Sequence, residues 1–192
     1  MFLDICTKTT TKGERMSLHA VEQEVQTHEV RFSLWRSVTI GLYKRLEILL
    51  LSMEKFKIKK EVLAFLCQPA FALAQKEQKI FLCRASVVDL TGKMIATTTE
   101  IFDAIKRVGD LCPAEVGPAL RDQYLDQYME INPKNKFPRI AMEPIPVKET
   151  VDVGDVFVVE CKEDGTLSLD ALFAPPWYVW DGEDIFVFKL VV

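Results

Sequence analysis

Histidine is almost missing from this 192-residue chain: only His19 and His28 occur, close together near the N-terminus. Their separation amounts to about two and a half helical turns, which would set the rings on opposite faces of a helix. A His metal cluster and a His-based catalytic triad are therefore not expected. Glycine is sparse too, and the eight glycines are dispersed. Backbone N–H groups converge on a phosphate only where clustered residues lack a Cβ. Walker A, dinucleotide-binding and kinase-type glycine loops are all missing, which argues against nucleotide-dependent chemistry.

The five cysteines, Cys6, Cys67, Cys83, Cys112 and Cys161, include no C-x-x-C pair. Cys67, Cys83 and Cys161 sit in apolar runs and read as buried, reduced thiols, which favours a reducing compartment. The longest apolar stretch, Val38 to Met53, is interrupted by Lys44, Arg45 and Glu47, so it cannot span a bilayer unaided. The N-terminal residues show no secretory pattern. The expectation is a cytoplasmic protein with no membrane partner, no metal and no cofactor.

What is present is an ordinary globular composition, 49% hydrophobic and 27% charged. Residues 1–16 read as a polar arm. The stripe Leu34, Val38, Leu42, Leu46 and Leu49 predicts a helix over 33–53. A second helix is predicted over 61–76, kinked or split by Pro69. Residues 79–88 and 93–99 read as a β-hairpin around the turn Asp89–Gly92. Helices follow at 100–108 and from about 118 to 131. From Phe137 onward the pattern is β, with Gly-bearing turns at 163–165 and 181–182 that suggest a four-stranded meander. The last strand, 185–192, is apolar on both faces and should be central or covered on both sides. The expected fold class is α+β: an N-terminal helical layer, a central β-hairpin and helical pair, and a C-terminal antiparallel β-meander. The division predicted is a mainly helical lobe at 17–132, with its hairpin at 79–99, and an antiparallel β lobe at 133–192 packed on it.

Charge follows this division. Residues 1–139 carry 21 basic and 17 acidic side chains, whereas 140–192 carry 3 and 11. Opposed halves can dock on each other, on neighbouring copies or on a charged partner, and both faces can equally well be solvated. The basic run Lys55, Lys57, Lys59 and Lys60 lacks the interleaved aromatics of a nucleic-acid site, Phe56 apart, so nucleic acid is not the expected partner. With the preceding helix the same run could form a membrane-surface element, but packing against a sheet explains the pattern without a membrane.

Three constellations are candidates for function. Asp155, Glu160 and Lys162 lie on and beside a predicted strand, and alternation would put Glu160 and Lys162 on one face. This arrangement resembles the metal-dependent nucleases of the PD-(D/E)xK type. The resemblance covers about a dozen residues and implies carboxylates that hold Mg²⁺ and a lysine that orients the attacking water. Solvent-facing strand residues explain the same pattern, and Glu77-Gln78-Lys79 matches the Glu-x-Lys part equally well. Asp122 and Asp126 lie one helical turn apart beside Tyr124 and Tyr128 and could do acid–base work, although a solvated helix needs no such role for them. The stretch Pro175, Pro176, Trp177, Tyr178 and Trp180 offers a large aromatic area on stiff backbone, suited to a partner-binding rim. It could also close the end of the core.

By elimination, the leading expectation is a non-catalytic protein-interaction or structural subunit of a larger assembly, of phage type for example. Its partners would be protein chains, including its own copies as a homo-oligomer or in a hetero-assembly. The alternatives are a metal-dependent nuclease using Glu160 and Lys162, and an acidic inhibitor or immunity-type protein that engages a basic partner.

Overall fold

β-Strands dominate the middle of the molecule, where one sheet has its apolar residues covered on both faces. The computed structural model describes residues 28–126, 137–146 and 155–191. The expected arm at 1–16 lies outside them, as does most of the segment between the two expected lobes. The final strand shows this. β9 (Ile185–Lys189) is buried at its three middle residues and runs between β3 (Gln78–Ser86) and β5 (Arg139–Ile140), antiparallel to the first and parallel to the second. The sheet extends through β1 (Ser33–Ile40) beyond β3, and through β6 (Asp155–Cys161), β7 (Leu167–Phe173) and β2 (Lys57–Ile58) beyond β5.

The α+β class is what the chain adopts, but local expectations change at several places. The helix expected over 33–53 is strand β1, followed after a turn by a short helix, α1 (Leu46–Ser52). A spacing of four fits two strand periods as well as one helical turn. The β-branched run Val38, Thr39 and Ile40, paired with Ile80, Lys79 and Gln78, settles the choice. The second helix, α2 (Lys60–Leu66), stops short of Pro69. The hairpin at 79–99 does not form. Ser86 instead caps a short helix, α3 (Val87–Thr91), accepting from the Asp89 N–H at 3.2 Å, and Gly92 ends it in the left-handed region at φ 73°. The chain therefore leaves β3 through a helix, and β4 (Ile95–Thr97) pairs elsewhere.

The expected meander is likewise half correct. β6 and β7 form the hairpin, in continuous register from Asp155↔Phe173 to Cys161↔Leu167. β8 (Val179–Asp181) does not pair with β9; it joins β4 in a separate two-stranded ribbon. Strands from both sides of residue 133 thus lie in one sheet, and the boundary expected there does not separate two sheets.

Both faces of the sheet are covered. Directly opposed residues share a face, so the pairings Arg139↔Phe186 and Arg139↔Val158 put Phe186 and Val158 on one side and Phe157 on the other. Phe186 meets Phe102 of α4 (Thr98–Lys106) edge to face at 6.4 Å. Phe157 meets Phe65 of α2 at 4.5 Å and lies beneath Gly117 of α5 (Val116–Gln123). α5 was expected to continue to 131 but its helical bonds stop at Gln123; residues 127–136 are outside the described part. It also ties the sheet to the loops. The buried Glu115 carboxylate accepts from the Gly41 and Ala74 N–H groups, and the Gln123 amide bonds both the N–H and C=O of Thr39 on edge strand β1. Cys83 and Cys112 are buried as expected of one of them, and burial pushes both thiols up. Cys67 is a correction: it follows the last residue of α2 and is exposed.

Two outcomes follow from this packing. A Cβ on Gly117 would lie 2.3 Å from Phe157 Cδ2. Alanine ordinarily stabilises a helix interior by about 1 kcal/mol relative to glycine, yet Gly117→Ala should destabilise by about 1–3 kcal/mol through overpacking, read as a lower urea midpoint. On the folded protein a maleimide should modify Cys67 rapidly, while Cys83 and Cys112 react only after denaturation, as peptide mass mapping can show.

Candidate interaction surface

The least ordinary stretch of the sequence is held by the starts of two helices. The first N–H groups of any α-helix have no partner within it. At α4, Thr98 N–H donates to the Tyr178 carbonyl at 3.0 Å and Thr99 N–H to the Pro176 carbonyl at 3.1 Å. At α3, Val87 N–H donates to the Asp184 carbonyl and Val88 N–H to the Gly182 carbonyl, both at 2.9 Å. The chain on either side of β8 is thus fixed by its backbone, which leaves the side chains of 176–179 facing solvent.

α4 owes this position to its own cap. The Thr97 hydroxyl accepts from Glu100 N–H, while the Glu100 carboxylate accepts from Thr97 N–H at 2.7 Å, a reciprocal capping box. Lys93 Nζ adds a 2.5 Å contact to the same carboxylate. Lys93 and the two Thr97 donors together hold the Glu100 carboxyl down at about 2.

Alternation then sorts the aromatic residues. Trp180 points inward: its indole N–H donates to the Thr98 hydroxyl at 2.9 Å, and its ring meets Phe186 edge to face at 5.1 Å. Arg139 lies 5.2 Å from the same ring and pairs with the Asp184 carboxylate at 3.0 Å. Burial pushes the Arg139 guanidinium down, and Asp184 opposes that shift. Pro175 is buried as well. Pro176, Trp177 and Tyr178 are exposed, Trp177 at 60%. Two of the five residues expected to form the rim, Pro175 and Trp180, therefore support it from below.

The pairing of β4 with β8 adds members that local sequence did not reveal. Thr97↔Val179 and Ile95↔Asp181 are opposed, so Ile95 and Val179 are diagonal neighbours on the outer face of the ribbon. Ile95 and Met94 are each 65% exposed and Val179 is 55%. Met94 is anchored through its carbonyl, which accepts from Gly182 N–H at 2.7 Å. Met94, Ile95, Trp177, Tyr178 and Val179 are thus all exposed on or beside the ribbon: Ile95 and Val179 share its outer face with Asp181, Tyr178 lies beside Trp180 with 4.7 Å between ring centroids, and the exposed Glu183 follows in the turn after β8.

No known protein family, curated protein or solved structure matches this chain. The geometry alone therefore has to rank the remaining candidates. Asp155 and Glu160 stand five positions apart on a regular strand, hence on opposite faces, and Lys162 lies beyond the end of β6. The Ser168 hydroxyl bonds the Glu160 carboxylate at 3.3 Å from the facing strand. Among the described residues, no group of three His, Cys, Asp or Glu side chains is placed to hold a metal ion. Asp155 and Glu160 are therefore not brought together.

Asp122 and Asp126 also diverge. Asp122 accepts from the Tyr43 hydroxyl at 2.7 Å and pairs with Lys55 at 3.0 Å, while Asp126 lies 3.6 Å from Arg36. The basic run is partly consumed by the fold, since Lys55 pairs with Asp122 and Lys59 with Asp170. Among the described residues no helix is long and apolar enough to cross a membrane.

The capping box makes a pH prediction. A carboxyl held below its ordinary value of 4.5 contributes stability above that pH and loses it as pH falls toward about 2. Wild type should therefore lose more stability than Glu100→Gln across that window. The difference should be below about 1 kcal/mol, because solvent screens a partly exposed pair. Urea midpoints measured at stepped pH would show the two curves converging at the acid end.

Proposed function

We propose that this chain is a non-catalytic protein-binding subunit, and that it holds an apolar, basic-flanked segment of a partner chain on the surface made by Met94, Ile95, Trp177, Tyr178 and Val179. The observation that carries this reading is the set of large apolar side chains displayed on backbone already fixed by α3 and α4. Aromatic residues on a preorganised scaffold lose little conformational freedom on binding and dominate interface energies. Isolated exposed apolar residues are ordinary, but a contiguous group of them marks an interaction site.

Charge selects the partner's chemistry. Asp181 and Glu183 border the surface, and residues 140–192 carry 11 acidic against 3 basic side chains. Such a border favours lysine or arginine beside the partner's apolar anchors, and it makes association sensitive to salt. An acidic inhibitor of a basic protein would use the same contacts. The opposed faces of Asp155 and Glu160 lend the nuclease reading no support.

A photo-crosslinking amino acid at position 177 tests the proposal. Discrete adducts are expected whose cross-linked peptide carries basic residues next to apolar ones. Val179→Asp and raised salt should each weaken them, and the same probe at position 163 should not produce them. Adducts common to both positions, insensitive to Val179→Asp, or confined to acidic peptides would overturn it, as would a clean absence of adducts at 177.

A further inference from the structure

The outer edge of β1 carries a different inference. β1 ends one side of the seven-stranded sheet, with β3 as its neighbour. Every second residue of such a strand turns its N–H and C=O away from the sheet, a template on which another chain can add. Thr39 is one of these. Its N–H donates to Gln123 Oε1 at 2.9 Å and its C=O accepts from Gln123 Nε2 at 2.8 Å, both at the last residue of α5. One side-chain amide thus makes the two bonds that a residue of an adjoining strand would make.

The rest of the edge is closed by other means. Two residues on, Gly41 N–H donates to the Glu115 carboxylate at 2.8 Å and Gly41 C=O accepts from Lys44 Nζ at 2.7 Å. Toward the other end the register shifts between Leu34 and Arg36, a bulge that breaks the regular row of edge groups. Ser37 lies between these devices, is exposed, and shares the outer edge with Thr39 by alternation. Side chains cover backbone donors on other outer strands as well. On β7, flanked on its outer side by the two-residue β2, Ala171 N–H donates to the Asp170 carboxylate at 2.9 Å. In the two-stranded ribbon, Asp181 N–H donates to the Asp184 carboxylate at 3.0 Å.

Gln123 is exposed, as are its bonds to Thr39. Water can satisfy the same two groups there, so the bonds add little to the stability of the fold. Water would also yield those groups to an incoming strand, whereas a tethered amide stays beside them. We infer that Gln123 is an edge guard: it stands in for an adjoining strand and keeps β1 from pairing with β1 of a second copy of this chain. Nothing in this depends on the ribbon surface, so the two readings fail separately.

Two measurements on the full chain test it. In Gln123→Ala the Thr39 amide should exchange with solvent at least tenfold faster than in wild type, read by NMR. Sedimentation equilibrium from micromolar to submillimolar concentration should show self-association at least tenfold tighter than that of wild type, with tryptophan fluorescence unchanged. Adding Thr39→Pro should return the variant to wild-type behaviour, because proline removes the outward N–H without breaking a bond to β3. Gln123→Glu still accepts from Thr39 N–H and adds a charge at the edge, so it should associate no more than wild type. Gln123→Met, similar in length and without the amide, repeats the test should alanine disturb the fold. Unchanged Thr39 exchange, association no tighter than wild type, or tighter association that survives Thr39→Pro each overturns the inference. A lower urea midpoint with no change in association marks a merely structural bond and overturns it too.

Discussion

Peptide N–H groups at a helix start need acceptors, and in this molecule two helix starts find them in the same stretch of chain. α3 and α4 are short, and their first turns bind the carbonyls of Pro176, Tyr178, Gly182 and Asp184. An unmade backbone hydrogen bond costs more than a made one contributes, so neither helix can release the segment without leaving donors exposed. The ribbon, the inward Trp180 and the outward Trp177 all follow from that constraint. What would otherwise be a proline-containing loop becomes a fixed display surface.

The supporting layer is polar as well as aromatic. Arg139 and Asp184 lie under the ribbon as a largely buried pair against Trp180. Burying charges of this kind is costly unless both stay paired, and here the pair ties β5 to the turn after β8. Glu115 has the same character on the other side of the molecule, where one carboxylate bonds two separate loops.

How much of this was legible in the chain depends on the range of the signal. The β6–β7 hairpin and the central place of β9 are local or compositional, and each could be read directly, whereas the helix expected to run on to 76 ends at Leu66, before Pro69. The aromatic run at 175–180 announced itself, but not which rings point outward, because that depends on the pairing of β8. Met94 and Ile95 looked like the return arm of a hairpin. Ser86 and Gly92 were signals of a capped helix, and reading them would have removed that hairpin. The i,i+4 stripe from Leu34 was ambiguous from the outset, since strand and helix periods both accommodate it.

The sequence by itself determined the class of fold, since the patterns that signal helix and strand act within a few residues. Only the tertiary structure decided that β4 joins β8, that Asp155 and Glu160 face apart, and that Trp177 rather than Trp180 meets solvent. Those outcomes turn on pairing between segments far apart in the chain, where the energy of contact depends on which partner arrives and not on either segment alone.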